Sequence, residues 1–300
     1  KLYARDEYLK KKAADSNGLN IQLTNNYAFR KTFKNTYIAK GFLMALLGLK
    51  EDEIADLKVT DPFEEGESEQ EKEGILDVKI YLNNNKKINI EMQNRYQNDW
   101  TERSLFYNCR MFTDGFYHGQ PYGELEPCIH IGILDFNLMR SQGFHHHIKL
   151  LDIKTGEEYN DKLQFHVVQL KKLEDAVKEE KETELYYWAK LLAAKDWKEV
   201  DDTIKGNPYR EAVKDEMYKM SQDERERYLY LREEMAYSDE ISRMKTAREE
   251  GLEEGRKEGK KLFLQCIRLK KQGFSKEKIA EECQVNIPEV EEILKEIEDL

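Results

Sequence analysis

Ile75-Leu76-Asp77-Val78-Lys79-Ile80-Tyr81 and, beyond Asn83-Asn84-Asn85, Ile88-Asn89-Ile90-Glu91-Met92-Gln93 decide how this chain is read. Both runs alternate apolar and polar residues as strands do, and the asparagine-rich connection suits a tight hairpin. Ile88, Ile90 and Met92 fall on one side of the second run, and Asn89, Glu91 and Gln93 on the other. A hairpin folded about Asn84 sets Asp77 directly across from Glu91, since both stand seven positions from the centre. Two carboxylates and an amide then share a face. Like charges directly opposite destabilise a strand pair. A divalent cation between them reverses the sign of that interaction. The same residues also fit a plain solvated sheet face, with Lys79 as a cross-strand partner for the acids.

Working outward, residues 1–20 are polar and basic and read as a short helix or tail. Thr24 or Asn25 can cap a helix that carries Phe29 and Phe33 on one side. Residues 38–49 read as a buried helix ending near Gly48, and residues 54–60 as a strand closed by Asp61-Pro62. Residues 64–74 form an acidic connection. After Gln93, Asn98-Asp99-Trp100-Thr101-Glu102 has helix-start chemistry, and a helix is expected to about Gly115 or Gly119 with Leu105, Phe106, Cys109 and Phe112 as its apolar side. Arg103, Tyr107 and Arg110 recur at helical spacing on another side. Residues 128–136 read as a central buried strand, residues 147–153 and 159–170 as a second hairpin, and residues 183–195 as a closing helix. Helices and strands mixed in this order predict an α/β (mixed α+β) layer fold with a central mixed sheet flanked by helices.

The character changes after Asn207-Pro208. Residues 209–272 are rich in Glu, Lys and Arg, without strand signal. Gly251, Gly255 and Gly259 would line up as a bare stripe on a helix, at a cost of about 1 kcal/mol each relative to Ala. Residues 276–283 and 288–299 form two short helices around Gln284-Val285-Asn286, with Ile279, Ala280, Val285, Val290 and Ile293 as the apolar set. The outline is that of a helix-turn-helix, yet the second helix is crowded with glutamates that would repel phosphate. Packing or dimerisation is the better reading. The expected division is a core over residues 1–205 and an all-helical extension over residues 206–300.

Composition bounds the rest. The chain has 300 residues, 39% apolar and 36% charged, with a formal net charge of −11. That balance gives no support to a duplex-binding stripe, although a metal held between carboxylates can supply the local attraction. Cys109, Cys128, Cys266 and Cys283 form no Cys-x-x-Cys pair, which fits reduced thiols and a cytoplasmic location. No run of about 18 apolar residues predicts a membrane span, and the first residues are not followed by a secretory leader's apolar core. His145-His146-His147 sit at strand spacing, so adjacent rings point to opposite faces and make poor ligands for one ion. A solvated strand start is expected there.

The span from Leu23 to Leu192 resembles the PD-(D/E)XK nuclease family transposases, the Rpn-like recombination-promoting nucleases. The resemblance rests on Asn25-Asn26-Tyr27-Ala28-Phe29-Arg30, Asp61-Pro62-Phe63, the two runs quoted above, Arg103-Ser104-Leu105-Phe106-Tyr107, and Ile131-Gly132-Ile133-Leu134-Asp135-Phe136. It implies a restriction-endonuclease-like core and cleavage of DNA with Mg²⁺, or Mn²⁺, in recombination or mobile-element biology. Asp77 matches the hairpin aspartate, Glu91 the second acid, and Gln93 a position more often held by Lys. On that reading Asp77, Glu91 and the Met92 carbonyl bind the metal, and Gln93 orients water or phosphate. Lys79, Arg103 and Tyr107 are candidate phosphate contacts. Asn26 stands where an acid is common, with Glu73 a possible substitute. The alternatives are a catalytically degenerate nuclease fold acting in nucleic-acid binding or assembly, and an RNA nuclease. Self-association through the C-terminal helices is expected.

Overall fold

The computed structural model describes residues 2–15, 19–60, 78–83 and 85–298. The elements run α1 Leu2–Ala14, α2 Asn26–Phe33, α3 Thr36–Leu47, β1 Leu57–Thr60, β2 Val78–Leu82, β3 Lys86–Gln93, α4 Trp100–Thr113, β4 Cys128–Leu134, β5 His145–Leu151 and β6 Glu158–Gln169. Then come α5 Lys178–Lys181, α6 Glu184–Ala193, α7 Trp197–Ile204, α8 Pro208–Gln222, α9 Glu224–Lys271, α10 Lys276–Cys283 and α11 Ile287–Glu298. The strands form one six-stranded mixed sheet in the order β1-β2-β3-β4-β6-β5. The two hairpins at its ends are antiparallel, while β3, β4 and β6 run parallel through the middle. A parallel neighbour needs a crossover, and α4 supplies it between β3 and β4.

The hairpin keeps the register expected of a turn about Asn84, with Val78 opposite Ile90, Lys79 opposite Asn89 and Ile80 opposite Ile88. Asn83 takes a left-handed conformation, φ 53°, which asparagine tolerates better than most residues. Its side chain anchors the turn, accepting from the Ala55 and Asp56 N–H groups and donating to the Glu53 carbonyl. Residues 75–77 of the first run, and Glu73, lie outside the described residues.

Helix α2 starts as its sequence dictates. The Asn25 side chain accepts from the Ala28 N–H at 3.1 Å and donates to the Tyr230 carbonyl and to Glu234. Phe29, Phe33, Phe42 and Trp188 are fully buried and meet in sequence, the first pair stacked and the next two edge-on, with ring centroids 4.4, 5.3 and 5.6 Å apart. This aromatic seam joins α2, α3 and α6. Gly48 caps α3 in the left-handed region. Asn25→Ala removes both the cap and the tie to α9, and is expected to cost about 1–2 kcal/mol, read as a lower urea midpoint with unchanged slope.

By contacts the chain divides into Lys1–Glu234 and Met235–Leu300, further along than residue 205. Val213, Met217 and Met220 of α8, and Tyr230 and Leu231 of α9, are buried in the first unit. The second unit has its own apolar cluster of Cys266, Ile279, Ala280, Val290 and Leu294. Gln284 closes α10 in the left-handed conformation where glycine is usual. Gly251, Gly255 and Gly259 lie within continuous α9, and a Cβ on any of them would meet nothing within 4 Å. No helix among the described residues is long and apolar enough to cross a membrane.

Candidate active site

The polar side of β3 faces α4. In a parallel pair, residues in register point to the same face, so the ladder reads as rows across the sheet. Lys79, Asn89, His130 and Phe165 form one row, Glu91, Gly132 and Val167 the next, and Gln93, Leu134 and Gln169 the last. Helix α4 lies over them. Its buried positions are Trp100, Ser104, Asn108 and Met111. The apolar side expected from the sequence proves to be outward: Leu105 is 50% and Phe106 62% exposed, and Cys109 is exposed. The physical reason lies in the sheet beneath, where a polar surface is matched by hydrogen-bonding groups rather than by aliphatic ones. Asn108 donates to the Gln164 carbonyl at 2.9 Å, and Lys87 donates to the Met111 and Asp114 carbonyls at the far end of the helix.

Gly132 makes the close approach possible. A Cβ at this position would overlap the six-membered ring of Trp100. The indole fills the vacancy on β4, buried against Leu134 and Val167, and fixes where α4 begins. One turn later Arg103 reaches back over the sheet. Its Nη2 lies 3.9 Å from Glu91 Oε1, while Nη1 donates to Gln97. On the other side of the carboxylate, His130 Nε2 is 3.7 Å from Glu91 Oε2.

Glu91 is therefore a largely buried acid at the edge of a polar seam, its side chain 13% exposed. Burial raises its pKa above the usual carboxylate value, and Arg103 only partly opposes this. The charged form is under-compensated, which suits a carboxylate that takes a cation. His130 is fully buried, and burial pushes its ring down to about 4, assisted by Arg103. The His130–Glu91 contact is thus between a neutral imidazole and a carboxyl group rather than an ion pair. Asn89 Nδ2 lies 3.1 Å from His130 Nδ1, and His130 Nε2 and Asn89 Oδ1 have no hydrogen-bond partner.

The remaining candidates are placed as follows. Gln93 is half-buried and donates from Nε2 to the Arg95 carbonyl at 3.2 Å. The Met92 side chain is buried on the opposite, apolar face. Lys79 is buried, 3.7 Å from Asp114 and 5.4 Å from the Tyr81 ring centre. Tyr107 is half-buried and rests edge-on against Phe106. Asp77 lies outside the described residues; Arg103 is the candidate that approaches Glu91, and Gln93 follows Glu91 on the same face of β3. Asn26, at the start of α2, has a buried Oδ1 without a hydrogen-bond partner. The donor chemistry of Glu91, a hard oxygen ligand, fits Mg²⁺. Among the described residues no group of three or more His, Cys, Asp or Glu could hold a metal ion.

A cavity of about 550 Å³ opens at the carboxyl ends of β4 and β6, lined by Gln22, Thr24, Asp135, Lys171, Tyr186 and Lys190 among others. Asn94 donates to the Thr24 carbonyl on its rim, but neither Glu91 nor Gln93 lines it. It adjoins the site without containing the chemistry.

The histidine run is less solvated than expected. His145 and His147 turn to one face of β5 and meet His166 there. His145 Nε2 is 2.9 Å from His166 Nδ1, and the His147 ring stacks on His166. His146 turns to the other face and meets Gln169. Burial holds His145 down at about 4 and His166 at about 3. Strand alternation separates the three consecutive rings, but the partner strand returns a third ring to one face, which spacing along one strand cannot reveal.

His130, Asn89, Trp100 and Gly132 were not singled out by sequence. Glycine inside an otherwise apolar strand is the one legible signal, marking a close approach. A family model described as PD-(D/E)XK nuclease family transposase matches residues 23–247, well over half of the chain. No curated protein and no solved structure gives a significant match.

Proposed function

This chain belongs to the PD-(D/E)XK nuclease family transposases, and from that premise we propose that it is a Mg²⁺-dependent DNA endonuclease acting in recombination or mobile-element biology in the cytoplasm. The observation that supports this most is Glu91, a buried carboxylate with too little positive charge around it, set in Glu-x-Gln on the central strand of the sheet. The proposal requires Asp77 to continue the ladder beyond the Val78–Ile90 pair, which would set the second acid beside Glu91.

In this reading Asp77, Glu91 and the Met92 carbonyl hold the metal. When bound, Mg²⁺ relieves charge on the phosphate and lowers the pKa of a bound water. The protein does the rest. Arg103 lies beside one oxygen of Glu91 and His130 beside the other. Gln93 offers an amide to a water proton or a phosphate oxygen, without the cationic charge that Lys would bring. Arg103, partly exposed at 32%, is placed to meet a phosphate arriving over Glu91, as Tyr107 is one turn on. The C-terminal helices serve self-association, since cutting both strands of a duplex takes two sites or two successive cuts.

The second reading, a degenerate nuclease fold that binds nucleic acid without cutting it, is favoured by one observation, Asn26 in place of an acid at the start of α2. RNA as substrate of the same site is the third. Asp77→Ala tests them. Mg²⁺-dependent nicking of plasmid is expected to disappear while the circular dichroism spectrum and duplex affinity stay. Undiminished nicking by the variant would remove Asp77 from the mechanism. No cleavage by the native chain in Mg²⁺ or Mn²⁺, with DNA affinity intact, would favour the degenerate reading, and cleavage of RNA alone the third.

A further inference from the structure

His130 is one of the fully buried polar residues of the sheet, and the catalytic reading does not need it as a ligand. Its ring is 0% exposed and lies between Trp100 and Phe165, 5.9 and 6.2 Å between centres. A buried imidazole with one unpartnered nitrogen is costly unless that nitrogen serves something. The partner of the other nitrogen says which atom carries the proton. Asn89 presents its amide nitrogen, a donor only, to Nδ1 at 3.1 Å. A ring that accepts at Nδ1 carries its hydrogen at Nε2. Nε2 is the ring nitrogen that lies 3.7 Å from Glu91 Oε2, a close approach beyond hydrogen-bond length.

We propose that His130 is a positioning residue for Glu91: Asn89 fixes the ring as its Nε2–H tautomer, and that N–H orients the Glu91 carboxylate for a divalent cation. The sequence places the parts economically. Asn89 and Glu91 share a face two residues apart on β3, and His130 stands in register with Asn89 on β4, beside the gap that Gly132 leaves next to Glu91. An outer partner that donates to a ligating carboxylate fixes its orientation, and its removal typically costs about 10–100-fold in metal affinity. Arg103 Nη2 stands 3.9 Å from the other oxygen, so the carboxylate has a nitrogen near each oxygen.

This inference rests on the reading of Glu91 as a metal ligand, and the experiment separates the two. Two-bond ¹H–¹⁵N spectra of ¹⁵N-histidine-labelled full chain are expected to show His130, identified by its loss in His130→Gln, as the neutral Nε2–H tautomer. Its Nε2 signal is expected to move on addition of Mg²⁺, and not to move in Glu91→Gln. Mn²⁺ alone, titrated by electron paramagnetic resonance, is expected to bind His130→Leu about tenfold or more weakly than the native chain, with His130→Gln, which keeps an N–H donor, recovering much of the loss. An Nδ1–H tautomer overturns the proposal, and so does native Mn²⁺ affinity in His130→Leu. Should His130→Leu fail to fold, the tautomer and its dependence on Glu91 decide. Native Mn²⁺ affinity in Glu91→Ala would instead remove the ligand reading of Glu91, and the role of His130 with it.

Discussion

Glu91→Gln is expected to reduce Mg²⁺-dependent cleavage by about a thousand-fold or more, while making the metal-free protein more stable at neutral pH. A metal ligand contributes through charge relief worth several kcal/mol in the transition state, and each 1.4 kcal/mol or so is a factor of ten in rate. The stability change follows from burial. The pKa of Glu91 is raised above its ordinary value of 4.5 in the folded chain, so between these two values the folded state holds more protons than the unfolded one. Stability then falls as pH rises through that window and stays lower above it. The amide carries no such penalty. Urea midpoints of the native and variant chains should agree below pH 4.5, separate as the pH rises past that value, and run parallel above the folded-state pKa. Added Mg²⁺ should close the gap by stabilising the native chain alone. Equal midpoints at all pH values would show that the acid is not desolvated, and native cleavage rates would show that it is not a ligand.

Gly132→Ala should damage both fold and site through a single methyl group. The new Cβ would overlap the Trp100 indole, which is 3% exposed and pinned between Leu134 and Val167. A rigid buried ring cannot yield as a flexible side chain does, so a cost near the top of the usual overpacking range, about 3 kcal/mol, is expected. The start of α4 would lift, and Arg103 would leave Glu91. Shrinking the ring should reverse much of this. Gly132→Ala combined with Trp100→Leu is expected to be more stable than the sum of the two single changes allows, a coupling that a double-mutant cycle measures. Additive effects would mean that the overlap is relieved elsewhere.

These two expectations also mark what could be read in advance. The hairpin about Asn84 and its register were legible because a period of two and a turn of three asparagines admit one solution. A cap at Thr24 or Asn25, which the structure resolves to Asn25, Gly48 as a helix stop and residues 128–136 as a central strand followed from local chemistry. The buried side of α4 did not. Leu105, Phe106 and Cys109 look like a helix's inner stripe, and they face outward because the sheet beneath presents Lys87, Asn89, His130 and Glu91. A helix read alone carries no information about the polarity of the surface it will cover. The burial of α8 has a related origin. A high density of charge from residue 209 onward reads as a solvated extension, yet a few apolar residues at helical spacing, Val213, Met217 and Met220, are enough to bind α8 into the core.

The sequence by itself determined the mixed α+β class, the family, the hairpin and the identity of the acid on β3, because each is written in short-range periodicity, turn residues or contiguous motifs. Only the tertiary structure decided that this acid is buried, that Arg103 and His130 flank it, and that Gly132 and Trp100 bring the covering helix down onto it. Those facts depend on parallel pairing between β3 and β4, which brings together residues some forty positions apart, Asn89 with His130 and Glu91 with Gly132. Parallel register is set by how a crossover helix packs across the sheet, and no local pattern in either strand encodes it.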